Sequence, residues 1–233
     1  MATGHEHTVK AFDQDIGQLR ALISQMGGLA EQAIHDAMKA LSRGDLALAE
    51  QVRKKDKAID AIESEVERLA VRVIALRAPM ADDLREVVAA LKIAAVVERI
   101  GDYAKNIAKR VPLIHSEGSD RIEAVSLLPA MAQMASDMVH DVLDAFSARD
   151  AAAAASVCQR DHALDDFYDS IFRTLVTFMI ENPQTISQVA HLLFVAKNIE
   201  RIGDHATNVA EMVYFAATGS YLADRETSEQ GDD

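Results

Sequence analysis

The stretch Glu98-Arg99-Ile100-Gly101-Asp102-Tyr103-Ala104-Lys105-Asn106 recurs 102 positions later as Glu200-Arg201-Ile202-Gly203-Asp204-His205-Ala206-Thr207-Asn208. Seven of the nine positions are identical, and both copies lie within sequence that favours helix. Self-similarity on this scale indicates that the chain is an internal duplication. The repeat keeps two acids and an amide at four-residue spacing, which places the three side chains on one face of a helix.

The duplication extends towards the N-terminus of each half, where matching residues are separated by 105 positions. The first-half members are Met26, His35, Asp36, Ser42, Asp45, Asp56 and Asp60, and their counterparts are Met131, His140, Asp141, Ser147, Asp150, Asp161 and Asp165. Apolar periodicity, turn residues and prolines divide each half into three predicted helices. These span residues 9–41, 45–76 and 81–114, and then 122–148, 151–180 and 185–217. Asp45 and Asp150 are predicted N-caps.

The composition predicts an all-α protein, because helix formers dominate and the 233 residues include four prolines and no tryptophan. We expect the first bundle over residues 9–115, the second over 120–218, and a disordered acidic tail over 219–233. The formal charge of −13 argues against a nucleic-acid binder. Cys158 is the single cysteine, which excludes a disulfide framework. With no visible signal peptide or membrane span, we expect a soluble, cytoplasmic protein.

The third predicted helix carries one apolar stripe, and the acidic motif lies on the opposite side of that helix. The stripe comprises Ile93, Val97, Ile100, Ala104, Ile107, Val111 and Ile114. At about 100° per residue, Glu98, Asp102 and Asn106 fall about 180° from its centre. The sixth helix repeats the arrangement with Glu200, Asp204 and Asn208. Both sets are therefore predicted to point away from the bundle core.

The second helix of each half adds a pair of aspartates beside its own apolar stripe. Asp56 and Asp60 form the first pair, and Asp161 and Asp165 form the second. Antiparallel packing of neighbouring helices would bring each pair against the acidic motif of the same half, forming an outer groove. Four carboxylates in one groove repel each other unless cations neutralise them. Oxygen-only ligands suit Mg²⁺, Mn²⁺, Fe³⁺ or Ca²⁺, and Zn²⁺ would bind there without a soft ligand.

Simpler interpretations of these residues remain open at this stage. Acids at four-residue spacing are common on solvated helix faces, and nearby lysines and arginines offer surface ion pairs of small energy. Gly101 and Gly203 indicate either a special role or close helix packing. His35 and His140 are expected to be buried or bridging histidines rather than ligands. A ferritin-like di-iron enzyme would need inward Glu-x-x-His motifs, which are absent here, and a structural adaptor without metal is a third alternative.

The chain resembles the PhoU family of bacterial phosphate-transport accessory and signalling proteins. The Glu-Arg-Ile-Gly-Asp-x-x-x-Asn repeat carries the resemblance, together with the interhelical turn at residues 77–85 and the stretch 137–146. The resemblance implies two tandem three-helix bundles related by pseudo-twofold symmetry, and a homodimer. It also implies surface metal sites whose ligands would be Asp56, Asp60, Glu98, Asp102 and Asn106 in the first half, and Asp161, Asp165, Glu200, Asp204 and Asn208 in the second.

The resemblance further implies a regulator without catalytic activity. Members link the phosphate-specific ABC transporter, through its ATPase subunit, to a sensor histidine kinase, and they act as negative regulators when phosphate is plentiful. Association with the membrane is then expected through these partners only. The metal could be iron, manganese, magnesium or zinc, because its identity varies across the family.

Overall fold

The computed structural model describes residues 3–115 and 122–222, and every regular element within them is helical. The seven α-helices are α1 (Thr3–Arg43), α2 (Leu46–Lys55), α3 (Lys57–Arg77), α4 (Asp82–Ile114), α5 (Leu128–Ala148), α6 (Ala151–Glu181) and α7 (Ile186–Thr218). Short 3-10 turns at Glu123–Leu127 and Pro183–Thr185 precede α5 and α7. The all-α prediction is confirmed.

The helices pack as two three-membered groups that lie side by side. α1, α2–α3 and α4 contact one another, as do α5, α6 and α7, and the two groups meet through α4 with α7 and α1 with α5. α4 and α7 run antiparallel, because Gln188 near the start of α7 donates to the Ile114 carbonyl at the end of α4 (2.9 Å). Each half is therefore a three-helix bundle with its third helix at the centre of the molecule.

The domain limits drawn from the sequence stay predictions. The expected joint between the halves falls largely on residues 116–121, which lie outside the described residues. Most of the expected tail, residues 223–233, also lies outside them. α7 itself ends at Thr218 and is followed by Gly219 with φ +77°, a left-handed conformation that glycine adopts readily.

The predicted helix starts are confirmed where capping chemistry specified them. Asp45 accepts a hydrogen bond from the Leu48 amide (2.9 Å). Asp150 accepts from the amides of Ala152 and Ala153, at 2.9 Å each. These carboxylates satisfy amide groups that have no partner within the helix. Both predicted N-caps therefore act as caps.

The second helix departs from the prediction, because residues 45–76 do not form one helix. α2 ends at Lys55 and α3 begins at Lys57, with the interruption at Asp56. Asp56 keeps right-handed helical torsion angles, φ −50° and ψ −39°, so the chain is distorted rather than turned at this point. The amide of Asp60 is 3.4 Å from the Asp56 carbonyl, a long helical hydrogen bond. The distortion therefore occurs at a predicted site residue.

The apolar stripes form the core as predicted. Every stripe residue of α4 is buried, and so are the corresponding residues of α7, which are Val195, Ile199, Ile202, Ala206, Val209 and Val213. Burying such side chains contributes about 1.5–3 kcal/mol each for the larger aliphatic residues. Among the described residues, no helix combines the length and apolarity that a membrane crossing would require.

Candidate metal centre

Two glycines set the distance between the helices that carry the acids. A Cβ at Gly101 of α4 would lie 2.7 Å from Cδ1 of Ile59 on α3, and one at Gly203 of α7 would collide with Leu164 on α6. Glycine therefore allows α3 to approach α4 and α6 to approach α7 closely. The close-packing interpretation of these glycines is correct, and the close approach also brings the acidic faces together. Asp161 Oδ1 lies 3.5 Å from the Gly203 Cβ position.

The second groove, formed by the facing acids of α6 and α7, gathers three carboxylates. One ligand oxygen each from Asp161, Asp165 and Asp204 lies within 4.8 Å of the other two. Among the side chains that the structure describes, within residues 11–115, 122 and 125–222, this is the one group of three acidic, histidine or cysteine residues that meets such a geometry. A cluster of this kind could hold a metal ion, and its all-oxygen donors suit a hard cation.

Glu200 adds a buried carboxylate to the second groove. The residue is 9% exposed, its Oε1 accepts a hydrogen bond from Lys197, and its Oε2 has no hydrogen-bond partner. A buried carboxylate oxygen left unpaired in this way is rare in folded proteins, and a water molecule or a cation would satisfy it. The Thr207 hydroxyl lies beside Asp161 and lowers the pKa of that carboxyl, against the effect of its burial. Glu200 is thus buried, although it lies opposite the core stripe of α7, on the side predicted to form the outer groove.

Burial and mutual repulsion disfavour the charged forms of these acids. Burial raises the pKa of Asp161, and the charge of Asp165 raises it further. Burial also raises the pKa of Asp204, with the charge of Asp161 as the next cause. Lys197, which pairs with Glu200, has a raised pKa because of that partner, against the effect of its own burial. For Asp161 and Asp204, burial and the neighbouring carboxylates thus outweigh the opposing charges of His162, Lys197 and Arg201.

The first groove, formed by the facing acids of α2–α3 and α4, is organised differently. The Lys105 ammonium donates to Asp56 Oδ2 at 2.5 Å and to Asp102 Oδ1 at 2.6 Å. Asp56 is buried, at 6% exposure. Burial raises the pKa of Glu98, followed by the charges of Asp102, Glu63, Asp60 and Asp56. The predicted acids of the first half are therefore neighbours, as expected, but a lysine lies between two of them.

The two predicted amide ligands, Asn106 and Asn208, have different surroundings. Asn106 Oδ1 accepts a hydrogen bond from Lys109 at 3.0 Å. Asn208 is exposed and lines a cavity of about 160 Å³ between α4 and α7, alongside Lys92 and Phe215. A role for either amide in metal binding stays a prediction.

Glu63 is a groove residue that the sequence analysis did not select. Burial raises the pKa of Glu63, as do the charges of Glu67 and Asp60, whereas Arg99 lowers it. It follows Asp56 by seven residues on the same helical face, so its spacing was a usable signal. Its counterpart in the second half is Tyr168, and this difference hides it from a search for duplicated acids.

The duplicated histidines lie outside both grooves and are exposed. His140 bridges α5 to α1 through Glu31, with Nδ1 3.3 Å from a carboxylate oxygen. The expectation of a buried or bridging histidine is confirmed for His140, whereas His35 is exposed. The neighbouring aspartates repeat one interaction, because Asp36 pairs with Lys55 and Asp141 pairs with Arg160 at equivalent positions.

These observations define a class of protein: an all-helical tandem repeat with a carboxylate groove on each half. The PhoU domain family matches residues 23–111 and 128–213. The phosphate-specific transport system accessory protein PhoU homolog of Zymomonas mobilis is 55% identical over 219 residues, covering 94% of this chain and 92% of the relative. The protein of the same description from Caulobacter vibrioides is 46% identical over 217 residues, covering 93% and 94%.

Solved structures of PhoU proteins also match this chain. The crystal structure of PhoU from Pseudomonas aeruginosa superposes with a TM-score of 0.85 at 37% identity, covering 90% of this chain and 100% of that one. The phosphate transport system regulatory protein PhoU from Streptococcus pneumoniae gives 0.83 at 28% identity, covering 91% and 99%. The chain belongs to the PhoU family, and the resemblance read from its repeated motif is confirmed.

Proposed function

We propose that this chain is a non-enzymatic regulator of phosphate uptake and phosphate-starvation signalling. In this role it links the phosphate-specific ABC transporter to a sensor histidine kinase and acts as a negative regulator when phosphate is plentiful. The supporting observation is that similarity to phosphate-transport accessory proteins spans both halves of the chain. Each matched segment contains one complete acidic groove, so the similarity includes the surfaces that carry the unusual chemistry.

The proposal includes metal binding in the second groove. Asp161, Asp165, Glu200 and Asp204 would hold the ion, whose charge would neutralise their mutual repulsion. The support is geometric: three carboxylate oxygens lie within 4.8 Å of one another, and Glu200 Oε2 is buried without a partner. Hard divalent or trivalent cations such as Mn²⁺, Mg²⁺ or Fe³⁺ fit these donors better than Zn²⁺ does.

The partners follow from the same proposal. The chain would act as a homodimer at the cytoplasmic face of the membrane, reaching it through the ATPase subunit of the transporter and through the kinase. Metal occupancy would regulate this docking, because it changes the charge of an exposed face by two or three units. The outward edges of α6 and α7 would therefore face a partner.

Affinity capture from cells tests the proposal. The tagged chain should recover the transporter ATPase subunit and the histidine kinase, with the greater yield from cells grown in abundant phosphate. Asp161→Asn/Asp204→Asn should reduce this recovery, whereas Asp166→Asn, an exposed change on the same helix, should leave it unchanged. Recovery of neither partner under abundant phosphate or starvation would contradict the regulatory assignment.

A further inference from the structure

The two grooves differ in how their acids are neutralised. In the first groove the Lys105 ammonium bridges two helices, because it contacts Asp56 on the α2–α3 side and Asp102 on α4. The Lys105 side chain is 26% exposed and Asp56 is 6% exposed, so the ion pair is shielded from water. A charge-assisted pair with this geometry places a permanent positive charge where a bridging cation would otherwise bind.

The second groove has no equivalent of this lysine. The position that corresponds to Lys105 is Thr207, whose hydroxyl lies beside Asp161 and carries no positive charge. Lys197 does lie at this groove, but it pairs with Glu200 three residues along the same helix and is 41% exposed. Lys197 and Arg201 lower the pKa of Asp204, and His162 lowers that of Asp161, but among the described residues none of these cations forms an ion pair with the Asp161, Asp165 and Asp204 cluster.

The other charges around the first groove do not change this contrast. Glu63 adds an acid there, and Arg99 lies close enough to lower its pKa. Among the described residues, no three acids of the first half bring ligand oxygens within 4.8 Å of one another. Asp60, Glu63 and Glu98 thus surround the lysine-bridged pair without forming a compact cluster of their own.

We propose that the ammonium of Lys105 acts as a tethered cation that excludes metal ions from the first groove, so that each chain binds metal in its second groove only. This inference rests on the proposed metal binding at Asp161, Asp165, Glu200 and Asp204. The duplication has then produced one metal-dependent half and one half with a built-in counter-ion. Lysine supplies this charge without depending on the metal supply of the cell.

Exchanging the two divergent residues tests the proposal. Wild type, Lys105→Thr and Thr207→Lys are stripped of metal, dialysed against Mn²⁺ and analysed for bound manganese per chain. Lys105→Thr should about double the bound manganese, because a hard-ligand groove is opened in the first half. Thr207→Lys should lose nearly all of it, because the new ammonium occupies the second groove. Circular dichroism at each step confirms that both variants are folded.

Two further variants separate the possible failures. Asp56→Asn in the wild-type background should leave bound manganese unchanged, whereas the same change added to Lys105→Thr should remove the gain. If wild type binds manganese that Asp161→Asn/Asp204→Asn abolishes, but Lys105→Thr gains none, the tethered-cation proposal is wrong and the metal proposal stands. If folded wild type binds none, the metal proposal itself is wrong. Equal loss of manganese from Asp56→Asn and Asp161→Asn in wild type would also overturn the inference.

Discussion

Asp161 on α6 and Asp204 on α7 face each other with carboxylate oxygens within 4.8 Å, in a contact that joins two helices of one bundle. Burial raises the pKa of both residues, and the charge of Asp161 raises that of Asp204 further. The contact therefore destabilises the bundle when both groups are ionised and no cation is present. It becomes stabilising when a cation binds, because the same oxygens are then ligands.

Metal removal should lower the thermal stability of the chain. Ligand that binds the folded state alone stabilises by about 2.7 kcal/mol at 100 times its dissociation constant. We expect Mn²⁺ to raise Tm of the chelator-treated protein by several degrees in differential scanning calorimetry. Asp161→Asn/Asp204→Asn should remove the increase, and Asp166→Asn should retain it. An equal increase in all three proteins would indicate non-specific binding.

Replacing Gly203 by alanine should separate α6 from α7. The added Cβ collides with Leu164, and forcing a methyl group into a packed contact costs about 1–3 kcal/mol. The higher helix propensity of alanine offsets up to about 1 kcal/mol of this cost. Urea denaturation should show a net loss of stability of about 1 kcal/mol, with weaker manganese binding.

Gly17→Ala provides the matched control for that change. Gly17 also lies inside a helix, but a Cβ there meets nothing within 4 Å. Only the propensity gain applies, so Gly17→Ala should stabilise the chain by up to about 1 kcal/mol. Stabilisation by Gly203→Ala of the same size as by Gly17→Ala would show that the close approach is unimportant.

Glu86 should be important for joining the halves. It is 6% exposed, accepts from Arg20 Nε of α1 at 2.7 Å, and lies 3.5 Å from Arg149 Nη1 beyond α5. Removing one partner of a buried pair costs about 3–5 kcal/mol. Because Arg20 is partly exposed, we expect Glu86→Ala to cost about 2–3 kcal/mol in urea denaturation.

Glu50→Ala is the control for the Glu86 change. Glu50 pairs with Arg53 on the surface of α2, with both side chains close to half exposed. Exposed pairs contribute about 0–1 kcal/mol. If Glu86→Ala costs no more than Glu50→Ala, the buried network does not hold the two bundles together.

His140 should make stability depend on pH. The charge of Glu31 on α1 raises the pKa of His140 above 6.5, with smaller contributions from Asp144 and Asp141 and an opposing one from burial. The folded chain then holds the proton more tightly than the unfolded chain. The stabilisation is complete below pH 6.5 and is lost as the pH rises through the folded-state pKa.

Urea denaturation over a pH series checks this sign. The free energy of unfolding of wild type should fall relative to that of His140→Gln as the pH rises above 6.5. When Glu31→Gln is added to both proteins, most of that difference should disappear. A difference that grows with rising pH in favour of wild type would contradict the assignment of Glu31 as the cause.

The fold was predictable because helix periodicity depends only on local spacing. The stripe from Ile93 to Ile114 specified the buried face of α4, and the constant offset between repeats specified the same arrangement in α7. Asp45 and Asp150 marked helix starts for a local reason as well, since a capping carboxylate bonds amides two or three residues away. Features of this kind need no knowledge of neighbouring helices.

The site was only partly predictable because it depends on distances between helices. A helical wheel placed Glu200 opposite the core stripe, but it gives no measure of how deeply the packing of whole helices buries a side chain, and Glu200 is buried. Lys105, one of the lysines near the acids, was expected at most to form a surface ion pair. Four methylene groups let its ammonium reach Asp56 across the interhelical contact, and that reach is invisible in a projection along one axis. The interruption of the helix at Asp56 was also missed, because the apolar spacing continues across it.

Elemental analysis of bound metal tests the central claim most directly. Wild type and Asp161→Asn/Asp204→Asn are dialysed side by side against Mn²⁺, washed in metal-free buffer, and analysed together with Asp166→Asn. The account predicts bound manganese in wild type and in Asp166→Asn, and little or none in the double variant. Equal manganese in all three folded proteins, or none in wild type, would contradict it.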